Sequence, residues 1–439
     1  MTGGRLALRE PTLILISIVA FCSIYSTWHP VRTIPAIDFY QFWIVGQEVA
    51  AGQPGNIYSD LERERIGRRY LDQARTAGDQ ARLRTAHHRS VLDSFSTPFL
   101  YTVFGSLSSS DYEHDLSTHR TLSLAFVVLS VAALCRLLGY GLVPTLAAIT
   151  LFASWFAPSR SDMLVGNVNH FQLGWMVLFL WLSCRFPTTL GHLAGGFLLG
   201  LGAMFKPNTA PVIGLLLVAW AIRRRHEKLV LETVGIAAGA FAAFAWSSAA
   251  FGGVGIWWSW FSALSTLPGD IITVELGNYA PARLLGDALQ IDASWLIALV
   301  CGGLALAVIT RGLWGVVGEG ARDQPGMEDL HVVALAGLVT LLSSPLSWLH
   351  YFVAAIPMLL VTLRPASGVQ HEGASWILAK VAAFGALVVV MVRPMVMLGL
   401  GDLRIRALLL CMGTAVLFGL GLRELRTLRG APSGAPDDV

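Results

Sequence analysis

The sequence predicts an all-α, polytopic integral membrane protein. Of its 439 residues, 54% are hydrophobic and 13% charged, where a soluble domain carries about 25% charged residues. Mean hydropathy is +0.61. Apolar runs recur from end to end, and at about 20 residues per crossing they divide the chain into about 10–12 transmembrane helices, several of them short or merging at Gly and Pro. We place them near 11–27, 122–138, 142–156, 171–183, 194–205, 209–222, 229–251, 295–309, 332–342, 351–363, 376–392 and 408–422.

The first span has no small-residue cleavage site behind it, so it reads as a retained helix and not as a signal peptide. Directly after it comes Ile37-Asp38-Phe39-Tyr40-Gln41-Phe42-Trp43-Ile44-Val45-Gly46, one carboxylate among aromatic and branched apolar side chains. An acid there is partly desolvated yet within reach of water, which suits proton exchange. Capping the next helix is the other role open to it. The segment opens a long first loop, 29–118, in which Arg63, Arg65, Arg68, Arg69, Arg75, Arg82, Arg84 and Arg89 interleave with Glu62, Glu64, Asp72 and Asp79. That pattern predicts one or two amphipathic helices with a solvated charged face, or alternatively a grip on anionic membrane lipids.

Farther along, Cys22, Cys135, Cys184, Cys301 and Cys411 all fall in apolar runs with neither pairing nor metal spacing, and read as small helix residues. A second loop, 252–292, carries Trp257-Trp258-Ser259-Trp260-Phe261, which predicts a helix lying in the head-group zone. Residues 1–428 read as one transmembrane domain, followed by a short Pro/Gly/Asp-rich tail, 429–439, expected to be disordered.

With the N-terminus placed inside, the inner ends and loops collect Arg5, Arg9, Arg136, Arg185, Arg223, Arg224, Arg225, Lys228 and Arg311, among others. The short outer loops keep few positive residues, so both termini are expected in the cytoplasm. The Arg-rich loop is discounted, because charges orient a chain only in loops of up to about 60 residues.

That topology brings separate polar clusters to similar depth on the outer side. They are Asp38, Asp162, Gly166-Asn167-Val168-Asn169-His170, Lys206-Pro207-Asn208, Asn278, Ser343-Ser344-Pro345 and Trp348-Leu349-His350-Tyr351. Each has a plain structural reading too. Lys206 can snorkel, His350 can sit in the interface, and the asparagines can cap or bridge helices. Ser344-Pro345 can mark a broken helix end. Pro207 ends the preceding helix and would hold the Lys206 ammonium in a defined place. No Walker sequence, dinucleotide fingerprint, zinc spacing or nucleophile elbow is present. No metal, cofactor or nucleic-acid partner is expected.

Together these clusters resemble glycosyltransferase family 87, membrane transferases of the GT-C class that use polyprenyl-phosphate sugars and include mycobacterial phosphatidylinositol-mannoside mannosyltransferases. The resemblance lies in Asp38-Phe39-Tyr40 with Phe42-Trp43 and Gly46, Gly52-Gln53-Pro54, Ile57-Tyr58, Gly166-Asn167-Val168-Asn169, Phe205-Lys206-Pro207-Asn208, and Ser344-Pro345 with Trp348 and His350-Tyr351. It implies a GT-C-like fold in a bacterial cytoplasmic membrane, with the active site on the extracytoplasmic side. It further implies an inverting transfer from a polyprenyl-phosphate-linked sugar, mannose or arabinofuranose, to a glycolipid or glycan hydroxyl. On that footing Asp38 is the catalytic base, and Lys206 and His350 bind the donor phosphate. Tyr40, Trp43, Asn167, Asn169, His170, Asn208, Ser344, Trp348 and Tyr351 complete the substrate site. Two departures stand out: the Arg-rich insert, and Ser96-Thr97-Pro98-Phe99 where the family usually has Tyr-Pro-Pro. A flippase or transporter of lipid-linked sugars is the rival reading, and it would place ionisable groups near the midplane instead of at one face. A non-catalytic membrane subunit would leave the Asp, Lys and His without a task.

Overall fold

The computed structural model describes residues 10–427 apart from 32–33, 35, 53, 94, 266–272, 292–293, 315–324, 365–373 and 390–401. The tail 429–439 and the end of the span expected at 376–392 lie outside the described residues.

Among the described residues the chain is helical, without strands. In order come α1 (Glu10–Val31), α2 (Ile37–Ala50), α3 (Asp60–Ala77), α4 (Gln80–His88), α5 (Pro98–Leu107), α6 (Tyr112–Leu137), α7 (Leu142–Thr150) and α8 (Ala157–Val165). Then follow α9 (Asn169–Arg185), α10 (Thr189–Phe205), α11 (Ala210–Ile222), α12 (His226–Ala250), α13 (Gly255–Ser265) and α14 (Pro281–Leu289). The last are α15 (Ser294–Trp314), α16 (Pro325–Ser343), α17 (Ile356–Leu363), α18 (Ala374–Phe384) and α19 (Leu403–Thr427). Six described helices are long and apolar enough to cross a membrane, or seven if the bent pair Leu142–Trp155 and Ala157–Val165 forms one span. The expected spans at 194–205, 209–222, 351–363 and 376–392 correspond to shorter apolar helices. Proline accounts for three of these: Pro207 breaks the α10–α11 path, and a 3-10 stretch over Leu349–Ala355 precedes Pro357 in α17. Helix α6 begins at Tyr112, within the loop expected at 29–118, and its first turn carries Glu113 and Asp115.

α16 is the central helix, with 78% of its apolar window buried, whereas α1 lies at the periphery with 11% buried. Ile14, Leu15, Ile18, Val19 and Phe21 on α1 are exposed, as lipid-facing side chains are. Helices α10 and α12 touch backbone to backbone. A Cβ on Gly196 would lie 2.3 Å from the Glu232 carbonyl oxygen, one on Gly200 2.2 Å from that of Ile236, and one on Gly239 2.1 Å from that of Phe197. The spacings Gly196–Gly200 and Gly235–Gly239 are small-xxx-small contacts, which gain packing where lipid offers no hydrophobic drive for association.

A second core lies beneath the Arg-rich segment. Phe39, Tyr40, Phe42, Trp43, Ile66, Tyr70, Tyr101, Tyr112, Trp257 and Trp260 are buried in it. α3 is amphipathic as expected: Ile66, Gly67, Tyr70, Leu71 and Ala74 face inward, and Ser59 caps its N-terminus. Its outward arginines are largely neutralised, Arg68 by Glu64, Arg75 by Asp72, and Arg65 by Glu62 and by Glu48 of α2. α13 divides its aromatics, with Trp257 and Trp260 buried and Trp258 and Phe261 exposed. The Trp260 indole N–H donates to the Phe95 carbonyl at 3.0 Å.

Candidate active site

Asp38 stands in the first turn of α2, and the N-cap is Ala36, whose side chain makes no capping bond. The helix-capping role open to Asp38 in the sequence is therefore not the one it has. Its carboxylate instead accepts two side-chain donors, Arg89 Nη2 at 3.1 Å on Oδ1 and Asn167 Nδ2 at 2.8 Å on Oδ2. The Asp38 side chain is 19% exposed, so it is held on both oxygens and still reaches solvent.

Gly166 makes this approach possible. It ends α8 in the left-handed region at φ 69°, and a Cβ there would lie 2.5 Å from the Phe39 Cβ and 2.9 Å from the Ala36 Cβ. Only glycine lets the start of α2 rest on this turn. The turn then delivers Asn167, whose Oδ1 accepts from Lys206 Nζ at 2.9 Å. Lys206 also donates to Asn169 Oδ1 and lies over the Tyr351 ring at 4.7 Å. Asn167 thus bridges the acid and the ammonium; no direct Asp38–Lys206 ion pair forms among the described residues.

Asp162 secures the turn from behind. It is fully buried and accepts from Asn169 N at 3.3 Å, Asn169 Nδ2 at 2.7 Å and His170 N at 3.2 Å, closing the N-terminus of α9. His170 is buried behind the site, its Nδ1 2.7 Å from the Ser123 hydroxyl. Lys206 sits in the break between α10 and α11, outside both helices, where the Thr97 hydroxyl donates to the preceding Phe205 carbonyl at 3.2 Å. The departure Ser96-Thr97-Pro98-Phe99 therefore caps α5 and fastens the lysine's backbone. Burial pushes the Lys206 ammonium down to about 8, against the pull of Asp162 and Asp38 upward.

His350 comes from the 3-10 stretch before α17. It is buried and packs edge-on to Tyr351 at 5.0 Å, and its Nε2 has no hydrogen-bond partner among the described residues. Asn278 fixes the approach to it, donating to the Pro345 carbonyl at 3.0 Å and accepting from Ser347 N at 2.9 Å. Asn208 accepts from Gln172 Nε2 at 2.7 Å, and both line a cavity of about 30 Å³ with Thr340, Ser344 and Tyr351. That volume suits a water.

The structure thus brings Asp38, Asn167, Asn169, Lys206 and Tyr351 into one contact chain, with His170 and His350 packed around it and Asn208 and Ser344 at the adjoining cavity. It directs Tyr40 and Trp43 elsewhere. They lie two and five positions beyond Asp38, about 200° and 140° around the helix, and enter the aromatic core. The Tyr40 hydroxyl donates to the Tyr70 carbonyl, and the Trp43 indole to Asp115 Oδ2 at 2.9 Å. Trp348 packs near Gly277 at the start of the 3-10 stretch, and the Ser344 hydroxyl closes its own turn by accepting from Leu346 N.

Arg89 and Gln41 lie at the site although the motifs do not pick them out, and Asp162, one of the outer polar groups of the sequence, proves to be the buried acceptor behind the turn. Arg89 is masked by its neighbouring arginines, and only the fold reveals that it turns inward. Gln41 carries a weak signal, one turn from Asp38 on the same face of α2. The described residues contain no cluster of His, Cys, Asp or Glu able to hold a metal.

A carboxylate, an ammonium and an unpartnered imidazole gathered at the ends of several apolar helices can take a proton and balance an anion at once. Neither a curated protein nor a solved structure matches the chain. The model of glycosyltransferase family 87 matches residues 97–345, more than half of the sequence, including Asn167, Asn169 and Lys206. Joined to the membrane-length helices, that match makes this chain a membrane glycosyltransferase, acting between a sugar donor and an acceptor: it belongs to glycosyltransferase family 87.

Proposed function

We propose that the protein is an inverting transferase moving a sugar, mannose as the best candidate, from a polyprenyl-phosphate donor to a lipid or glycan hydroxyl. The reaction takes place on the extracytoplasmic side of a bacterial cytoplasmic membrane, with both termini in the cytoplasm. The observation that carries this reading is the Asp38–Asn167–Lys206 chain, a reachable carboxylate one amide away from a part-buried ammonium. A sugar leaving on phosphate departs as a stabilised anion, so one base and a cationic cradle suffice without the carboxylate pair of glycosidases. Asp38 takes the proton of the acceptor hydroxyl as its oxygen attacks the anomeric carbon, and the sugar–phosphate bond breaks on the opposite face. Lys206 balances the departing lipid phosphate and the imidazole of His350 donates a hydrogen bond to it. The polyprenyl tail stays among the membrane helices.

The test is transfer by the purified protein in lipid, supplied with polyprenyl-phosphate mannose and a membrane lipid extract. Wild type should label a product and Asp38→Ala should be slower by about 10²–10⁴-fold, the usual contribution of a positioned base. Product from wild type only with the arabinofuranose donor would change the sugar and keep the chemistry. Equal product from both proteins would remove Asp38 from the reaction.

A further inference from the structure

Arg89 belongs to the Arg-rich segment, yet its side chain is only 13% exposed and leaves the solvated face altogether. Its Nη2 donates to Asp38 Oδ1 at 3.1 Å, its Nε to the Ile37 carbonyl at 3.3 Å, and its Nη1 pairs with Asp93. The backbone beneath it is clamped from two sides. From α2, Gln41 Oε1 accepts from Asp93 N at 3.0 Å while its Nε2 donates to the Asp93 carbonyl at 2.6 Å. From α3, Leu92 N donates to the Arg63 carbonyl at 3.4 Å, Arg63 Nε donates back to Leu92, and Gly67 packs so closely that a Cβ would lie 2.2 Å from the Ser90 carbonyl oxygen. Two helices are thus spent on fixing one short turn, and what the turn presents is a guanidinium on a carboxylate.

From this we infer that Arg89 is a positioning residue for the base, and that the α3–α4 segment is the arm that delivers it. The inference rests on the proposed role of Asp38. With Arg89 on one oxygen and Asn167 on the other, the carboxylate is locked in rotation, and its remaining lone pairs keep a fixed direction toward an incoming hydroxyl. The other charged or titratable groups around Asp38 are Asp93 and Arg63 from the arm, His119 of α6, Asp162 of α8, His170 of α9, Lys206, and His350 with Tyr351.

Arg89→Ala and Arg89→Lys test it, beside Arg68→Ala, an outward arginine of α3 paired with Glu64. Arg89→Ala should lower kcat by about a hundred-fold with a smaller change in KM, as expected for a misdirected catalytic group. Arg89→Lys should restore only part of kcat, since an ammonium cannot reproduce the fork. Arg68→Ala should change neither. A second measurement needs no substrate: infrared spectroscopy of the protein in lipid at fixed pH, with Asp38→Asn to assign the carboxylate band. The Asp38 carboxylate stretch should shift in Arg89→Ala relative to wild type, because one oxygen loses its charged donor. Coincident bands, or Arg89→Ala with wild-type kcat, would overturn the inference. Absence of transfer by wild type with every donor would instead overturn the proposed reaction, while the infrared spectrum still decides the role of Arg89.

Discussion

At the scale of single residues the site depends on which group keeps its charge. Lys206 is held down to about 8 by burial, so it is cationic at neutral pH and loses its proton as pH rises through that value. Its grip on a phosphate should weaken in the same direction. KM for the donor is expected to climb above pH 8 in wild type, and to be high and nearly flat with pH in Lys206→Met. A wild-type KM unchanged between pH 7 and 9 would remove the lysine from donor binding. Residues such as Asp38, Asn167, Asn169 and Lys206 were legible in the sequence because a polar group at the end of an apolar run is conspicuous. Arg89 was not, since what distinguishes it from Arg68 is a contact 51 positions away along the chain. Tyr40 and Trp43 share a motif with Asp38, but adjacency in sequence does not give adjacency on a helix, and their rings turn to the opposite face.

Among elements, the α10–α12 contact controls where Lys206 stands, because the lysine follows the last residue of α10. Gly200→Ala would push a methyl to 2.2 Å from the Ile236 carbonyl oxygen, and the helices would have to part. We expect a loss of about 1–3 kcal/mol, the usual cost of overpacking, together with a higher donor KM. Gly214→Ala on α11, which meets nothing within 4 Å, is the matched control and should be neutral in both. Thermal unfolding in detergent and donor titration read the two effects, and indistinguishable variants would refute the assignment. Apolar periodicity announced most of these helices, but their ends were harder to place. The expected start of the second span at 122 lay ten residues inside α6, because Glu113, His114 and Asp115 open that helix with polar side chains. In the same way, the breaks at Lys206-Pro207 and Leu349–Ala355 turn apparent crossings into short pieces.

Across the whole molecule, polar chemistry sits at both ends of α9, α10 and α11, about 20–25 Å apart by helix length. One end holds Asn169 and Lys206. The other holds a buried knot in which Asp329 accepts from the Trp220 indole at 2.9 Å and pairs with Lys228, while Glu328 pairs with Arg223 and Arg225 at 2.9 Å. Lys228→Ala would leave Asp329, only 1% exposed, with Arg225 at 4.0 Å as its nearest cation. Loss of one partner from such a pair typically costs about 3–5 kcal/mol. The variant should melt earlier in detergent while its donor KM below the melting range stays at the wild-type value. A shifted KM there would mean that the two ends communicate.

The amide of Asn167 has a further consequence. It turns its NH₂ to Asp38 and its oxygen to Lys206, so opposite charges share one chamber without collapsing onto each other. A direct ammonium contact would occupy a further lone pair of a carboxylate already held by Arg89 and Asn167, and would leave Lys206 less charge to offer an incoming anion. Asn167 works as an insulator with a built-in polarity, and in the proposed reaction the uptake of a proton and the release of a phosphate would keep separate terminals in a space scarcely wider than one side chain.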